Sequence, residues 1–398
     1  MIKFSVATNW DDNLIKEIDI LDTERKVTEV FGKLASDFIG GARPSYILNN
    51  ISKKKAAHHI GLVKRTGRKF NYLLNATCMD NREFTRTGQR EIRKLISWLD
   101  DLKVDAITVA NPYLGYLIRK QNPKFKLTVS AQARVDSVRK IEFWIEEIGV
   151  NKVNLSGRGI VRNFPLLKKI RSQTSCELQL IANQLCLHDC PIYIYHITFA
   201  SHASQSRHPL RGFGINWCKT NCRYRMFTQP EELIKSDWIR PEDVGYYENV
   251  GINSLKVLER SRDTQGIIYT LKAYLERRFD RNLTDLFISP KNKPSKKILL
   301  LNFLRYFFHP LHINIFKLWK FRKVFPEVGI HIDNRKLDGF LEYFFEGKCQ
   351  IDNCKECGYC RGVAERAVRI DNAFREKMER ESSDTIESFT NGEMFRYF

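Results

Sequence analysis

The chain has 398 residues, 43% apolar and 12% aromatic, which is enough to bury a large core and excludes a disordered chain. Its 66 Lys and Arg against 46 Asp and Glu give a formal charge of +20, which suits an anionic partner without choosing among nucleic acid, acidic lipid and small anions. No apolar run reaches the about 18–20 residues of a membrane-spanning helix. The opening MIKFSVATNWDDN has too short an apolar run for a secretory signal, so a cytoplasmic location is expected.

Eight short β-rich runs follow one another: KFSVAT (Lys3–Thr8), VTEVFG (Val27–Gly32), KFNYLLNAT (Lys69–Thr77), VDAITVA (Val104–Ala110), FKLTVSAQ (Phe125–Gln132), VNKVNLS (Val150–Ser156), CELQLIAN (Cys176–Asn183) and INSLKVLE (Ile252–Glu259). Helix-period stretches such as REIRKLISWLDDL and VRKIEFWIEEIG separate them, the second ending on Gly149, a C-terminal cap ahead of the next strand. Eight β/α units in about 260 residues predict an α/β fold, a parallel (β/α)8 barrel of the triosephosphate-isomerase (TIM) type over residues 1–282. A doubly wound open sheet is the alternative. Polar residues collect where the runs end: Asn75 and Cys78, Asn111, Gln132 and Arg134, Arg158 and Arg162, Asn183 and Cys186, Lys256 and Arg260. In a parallel barrel those ends share the face on which sites are built.

After Asp280 the composition changes. Residues 283–297 read as a basic linker, with SPKNKPSKK at Ser289–Lys297. Residues 298–398 read as a mainly helical, cysteine-rich extension ending, from Asp371, in a helix and a loose charged tail. Lys291–Lys323 holds nine Lys or Arg and no Asp or Glu among large apolar residues. A helical hairpin packed on the barrel, a helix lying on a membrane surface and a basic RNA groove with stacking aromatics all fit it.

Eight of the ten cysteines fall in two groups, which in a reducing compartment points to metal rather than disulfides. Cys186-x3-Cys190 and Cys218-x3-Cys222 are 27 residues apart, and four thiolates in two pairs can hold one zinc ion or a 4Fe–4S cluster. Zinc ribbons favour two-residue gaps, so gaps of three favour the cluster. The intervening segment carries His196, His202 and His208. The second group, Cys349, Cys354, Cys357 and Cys360 in CQIDNCKECGYC, has gaps of four, two and two. It suits a second iron–sulfur cluster, with zinc as the alternative, and Gly358 gives backbone freedom beside the sulfurs.

The motifs FGKLASDFIGGAR, KFNYLLNATC, LTVSAQARVDSV, NQLCLHDCP…SHAS, the downstream cysteine pair and VGINSLKVLERSRD…YLERRFD resemble the collagenase-like peptidases, family U (number thirty-two), over roughly residues 1–282. Lys256 and Arg260 match the first and last positions of the family's Lys-Ile-Glu-Gly-Arg segment, with the Glu displaced by one to Glu259. The Gly-rich Glu…His-Gly strand end of the family's peptidase signature is not present as such, and Asn183 and Gln184 precede Cys186 instead. No serine or cysteine nucleophile with a paired base can be read from the sequence. The resemblance implies a barrel with a four-cysteine 4Fe–4S site. It also implies kinship with members that carry out oxygen-independent hydroxylation in ubiquinone biosynthesis and on tRNA or rRNA bases, with prephenate as the hydroxyl source, some as heterodimers with a related barrel protein.

The leading expectation is therefore an iron–sulfur enzyme that modifies, by hydroxylation, an anionic small molecule, a peptide or RNA. Cys186, Cys190, Cys218 and Cys222 would hold the cluster. Arg134, Arg158, Lys256 and Arg260 would meet the anion, with bidentate arginine pairing as the device, and Asn75, Gln132 and Asn183 would orient it. The alternatives are a hydrolase of the peptidase family and a non-enzymatic, metal-stapled module binding RNA or a membrane through Lys291–Lys323.

Overall fold

A computed structural model describes residues 1–209, 214–287, 314, 316–317, 329–349 and 353–396. Eight strands, β1 (Lys3–Ala7), β2 (Val27–Gly32), β3 (Lys69–Leu74), β4 (Ala106–Val109), β5 (Lys126–Val129), β6 (Lys152–Asn154), β7 (Glu177–Ile181) and β8 (Ser254–Val257), form a closed parallel barrel in sequence order. β8 returns to β1 with Ser254 opposite Lys3 and Val257 opposite Val6. All eight predicted runs are strands, and the barrel replaces the open-sheet alternative.

The helices that follow the strands begin where the sequence offers a capping side chain. Asp11, Ser52, Thr85, Asn111, Ser137, Asn163 and Asp263 each accept a hydrogen bond from a backbone N–H in the first turn of their helix. Asn111 is thus a cap. Gly149 ends the helix Val138–Glu146 as expected, at φ +72° with its N–H on the Ile145 carbonyl. Along each strand alternate residues face outward, where Phe4, Val6, Phe70, Tyr72, Ile107 and Val109 join the main core under the helices.

The inward residues form a polar layer rather than the branched aliphatic layers usual in such barrels. Thr108 donates to Asn71 Oδ1 at 2.8 Å, Asn154 to Gln179 Oε1 at 3.1 Å, Gln179 to Ser254 Oγ at 3.0 Å, and Ser5 to Glu29. Lys152 closes the layer with a 3.0 Å ion pair to Glu29. Most of these buried polar groups thereby have a partner and avoid the cost of burial without one, Asn154 Oδ1 being an exception. A small apolar cluster of Ala7, Phe31 and Leu73 lies nearer the strands' C-terminal ends.

The long β7–β8 connection carries helices Tyr193–His202, Trp217–Thr228, Glu231–Lys235 and Val244–Asn249. The C-terminal part is mainly helical, as expected. It adds strands Ile330–Ile332 and Val368–Ile370, paired antiparallel, and helices Glu342–Phe345, Cys354–Cys357, Tyr359–Ala367 and Asn372–Thr390. Buried Arg240 fastens this part to the barrel through Asn334 Oδ1 at 2.9 Å, the Leu337 carbonyl and Asp338 at 2.6 Å. Phe374 meets Phe227 edge-on at 5.7 Å.

The expected loose tail is instead folded back after Thr390, because Met394 is buried and Phe395 lies 6.1 Å from Phe389. In the expected linker, residues 283–286 form a packed turn with Leu283 and Leu286 buried. The rest of the linker lies outside the described residues, and so does the basic segment 291–323 apart from Asn314, Phe316 and Lys317. Among the described residues no helix is long and apolar enough to cross a membrane.

Candidate active site at the barrel mouth

The β7–β8 connection leaves the barrel at Asn183 and delivers the first cysteine group to the strands' C-terminal face. Asn183 turns the corner. Its Nδ2 donates to the Leu258 carbonyl at 2.7 Å and to the Leu286 carbonyl at 3.1 Å, and its Oδ1 accepts from Leu258 N–H at 2.7 Å. This side chain is spent on backbone, binding β7 to the end of β8.

Cys186 and Cys190 come from the loop that follows, and Cys218 and Cys222 lie one turn apart on helix Trp217–Thr228. All four meet. Cys190 and Cys218 are buried, while Cys186 and Cys222 are half-buried. A hydrogen bond from Cys186 to Cys190 raises the Cys186 thiol and lowers that of Cys190. Burial, and then the neighbouring Cys190, lift Cys218 and Cys222 to about 11. The backbone N–H of Leu187 faces Cys222 and that of Ile192 faces Cys190.

Four such thiols oppose one another's ionisation, and a positively charged core bound between them removes that penalty. The donor set fits a metal–thiolate cofactor. Among the described residues no three His, Cys, Asp or Glu side chains are gathered to hold a single metal ion. One tetrahedral zinc would draw its sulfurs to about 3.8 Å from each other, given Zn–S bonds of about 2.3 Å.

Cys186, Cys190, Arg134 and Arg158 share one cleft with Tyr193 and Asp237. Arg134 has a left-handed backbone (φ +48°), stacks over the Tyr193 ring at 4.7 Å and pairs with Asp189 at 2.7 Å. Arg158 is exposed at the rim. Asp237 was not legible as a site residue. Burial raises its carboxyl to about 6 against the pull of Arg162. Arg162 itself is structural: it donates to the carbonyls of Ile234 and Trp238 and stacks over Trp238 at 4.4 Å.

A second set of cations lines the barrel's own mouth. Lys256 sits 4.0 Å over the Phe31 ring, and burial holds it down at about 8 even with Glu29 nearby. Arg260 is only 6% exposed, and its Nη1 has no hydrogen-bond partner among the described residues. Burial and the adjacent Arg43 bring it down to about 10. Asn75 donates to Ser130 Oγ at 3.2 Å but leaves its Oδ1 unpartnered, as Gln132 leaves its Oε1. Thus Asn75, Lys256 and Arg260 stand at the mouth with bonding capacity unspent, unlike Asn183.

Arg43 and Glu259, which the sequence did not single out as a pair, clamp across the mouth. Arg43 Nη2 and Nε reach Glu259 Oε2 at 2.7 and 3.0 Å. Burial alone would raise Glu259, yet Arg43 holds its carboxyl down at about 2. The displaced Glu of the strand-end segment therefore has a defined role as the partner of Arg43. Lys33 is taken by Asp37 at 2.7 Å. The glycines before Arg43 explain themselves. Gly40 adopts φ +82°, and a Cβ there would stand 2.7 Å from the Ser201 carbonyl.

The histidines of the inter-pair segment divide. His196 Nε2 accepts from Asn216 Nδ2 at 3.1 Å, and burial lowers its pKa to about 4. His202 Nε2 lies 3.3 Å from Cys78 Sγ and stacks on His208 at 4.7 Å. A cysteine–base pair is therefore present after all. It was invisible in the sequence because 123 positions separate Cys78 from His202, and only the fold of the β7–β8 connection over the β3 loop joins them.

The fold and site together define an eight-stranded parallel barrel protein with cysteines and cations gathered at its mouth. Residues 41–297 match peptidase family U32, and the chain belongs to that family. An uncharacterized protease of Methanocaldococcus jannaschii is 32% identical over 256 residues, 64% of this chain and 74% of the relative. Among solved structures, a U32 peptidase superposes with a TM-score of 0.48 at 18% identity, covering 65% of this chain and 93% of its own. A chitinase from Rhizomucor miehei gives 0.37 at 11% identity, with 69% and 100% covered.

Proposed function

We propose that the chain is an iron–sulfur enzyme that modifies an anionic substrate at the barrel mouth without oxygen, by hydroxylation of a small molecule, a peptide or RNA. The observation that carries this is the cleft that Cys186 and Cys190 share with Arg134 and Arg158, with Cys218 and Cys222 near enough to act on their charges and the buried, incompletely bonded Arg260 at the same barrel mouth. These four thiolates would hold a 4Fe–4S cluster, which supplies redox or Lewis-acid chemistry when bound. The N–H groups of Leu187 and Ile192 donate to two of the sulfurs. Arg260, with its free Nη1, and Lys256 behind it favour a carboxylate, since a buried guanidinium without a partner is stabilised most by an anion. Asn75 and Gln132 offer acceptors for a substrate hydroxyl or amide. Asp237, with its carboxyl near neutrality, is suited to hold a proton beside the cysteines.

Prephenate titrated into the anaerobically loaded protein tests this. Binding should weaken about tenfold or more in Arg260→Met, and prephenate-dependent product should disappear in Cys186→Ala. Equal binding and activity in both variants would sink the proposal.

The Cys78–His202 contact favours a second reading, a hydrolase in keeping with the family's name. His202 would take the Cys78 proton, the thiolate would attack a peptide carbonyl and expel the amine, which takes the proton back from His202, and water would then release the acid from the thioester. That reading predicts peptide cleavage that survives iron removal and is lost in Cys78→Ser.

A further inference from the structure

The second cysteine group is outside the barrel mouth and plays no part in the chemistry proposed there. We infer that Cys349, Cys354, Cys357 and Cys360 ligate a second 4Fe–4S cluster, at the seam between the C-terminal segment and barrel helix Glu231–Lys235. Although 349 and 360 are eleven positions apart, all four side chains line one cleft with Tyr343, Phe344, Tyr359 and Lys235.

The local sequence explains the convergence. Cys354 and Cys357 begin and end a single helical turn, so they share one face. Gly358 stops that turn at φ +65° and starts the helix Tyr359–Ala367, which swings Cys360 back to the same side. A Cβ at Gly358 would meet nothing within 4 Å. The glycine is thus required for its backbone angle, the freedom expected of it beside the sulfurs. Cys349 enters from the other side, after helix Glu342–Phe345.

The ligand spacing and the walls favour a cluster over a single ion. Cys-x2-Cys-x2-Cys is a run that delivers three thiolates to one 4Fe–4S cube, and Cys349 supplies the fourth from upstream. One zinc ion would draw all four sulfurs to about 3.8 Å of each other, a tighter arrangement than a cube whose irons are spread out. The wall is aromatic: Tyr343 and Tyr359 stack at 3.9 Å, and Tyr359 donates to the Phe340 carbonyl at 2.9 Å. Tyr343 Oη lies 3.2 Å from Cys357 Sγ, placed to donate to a thiolate.

Four thiolates around a cluster of core charge +2 leave a net −2, and the cation in the cleft wall is Lys235, which also pairs with Glu232 at 2.8 Å. Cys357 is exposed, so one corner of the cluster faces solvent, where it can take one electron from an external one-electron reductant. Arg361 pairs with Glu231 at 3.8 Å and joins the cysteine-bearing helix to the barrel at the same seam.

The test uses the full chain, reconstituted anaerobically with ferrous iron and sulfide. Cys186→Ala/Cys190→Ala empties the barrel group and should retain about four irons and four sulfides per chain. After dithionite reduction it should show the paramagnetic signal of a one-electron-reduced cluster. Cys354→Ala/Cys357→Ala should take the wild type from about eight irons to about four, which decides the matter even where the barrel variant does not fold. Tyr343→Phe should keep the iron and shift the midpoint potential to more negative values, because a hydrogen bond to a ligand sulfur favours the reduced cluster. A folded barrel variant without iron, or stoichiometric zinc lost in Cys354→Ala/Cys357→Ala, overturns the inference. It stands apart from the proposed function: iron lost only with the C-terminal cysteines would sink the barrel cluster and leave this one.

Discussion

Replacing Glu259 by Gln should destabilise the protein by about 1–2 kcal/mol at neutral pH, and the loss should vanish in acid. Glu259 is held at about 2 in place of 4.5 because Arg43 overcomes the effect of burial. A depression of that size corresponds to about 3 kcal/mol at about 1.36 kcal/mol per pKa unit. Glu259 is 25% exposed and Arg43 32%, so solvent screening reduces the figure to about 1–2 kcal/mol. The sign follows from linkage. The folded carboxyl is the stronger acid, so its stabilisation is full above about 4.5 and fades as pH falls toward about 2. Urea unfolding of the wild type, Glu259→Gln, Arg43→Met and the double variant gives the coupling through a double-mutant cycle. A coupling below about 0.3 kcal/mol at pH 7, or one unchanged at pH 3, would refute the reasoning.

Lys256 is held at about 8, below its ordinary 10.5, by burial. The unfolded chain therefore binds more protons between those values, and wild-type stability should rise with pH across that window relative to Lys256→Met, by about 2–3 kcal/mol; a flat difference in chemical denaturation contradicts it. Gly40→Ala should cost about 2 kcal/mol or more by thermal melting, because φ +82° and the 2.7 Å approach to the Ser201 carbonyl admit no Cβ; a neutral substitution would show that the turn relaxes. Asn183→Ala should cost about 2–3 kcal/mol, since it leaves backbone groups of Leu258 and Leu286 without partners. Its iron content and substrate affinity should stay at wild-type levels, whereas a substrate-binding defect in a fully stable variant would restore Asn183 to the site.

Much of this fold is written locally. Strand runs such as VTEVFG and helix caps such as Ser52 and Thr85 act within a few residues, so the eight β/α units and their order could be read in advance. The cysteine groups were legible for the same reason, because their members lie a few residues apart. The partners across the mouth were not. Arg43 finds Glu259 over 216 positions and Cys78 finds His202 over 124, through loops whose paths no periodicity specifies. Asn183 shows the converse limit. A polar residue at a strand end looks like a ligand for substrate, yet the carbonyls that occupy it come from Leu258, just past β8, and from the turn Leu283–Leu286, visible only once the chain is folded. The polar interior of the barrel was hidden too, since Ser5, Asn71, Thr108 and Gln179 read individually as ordinary polar strand residues.

The most direct test of the barrel site is anaerobic purification of the wild type and Cys218→Ala/Cys222→Ala, with iron, sulfide and zinc quantified beside the visible spectrum. The account predicts a brown wild type absorbing broadly near 400 nm and a variant that has lost about four irons and the matching absorbance. Equal iron in the two proteins, or a colourless wild type carrying stoichiometric zinc, would contradict it.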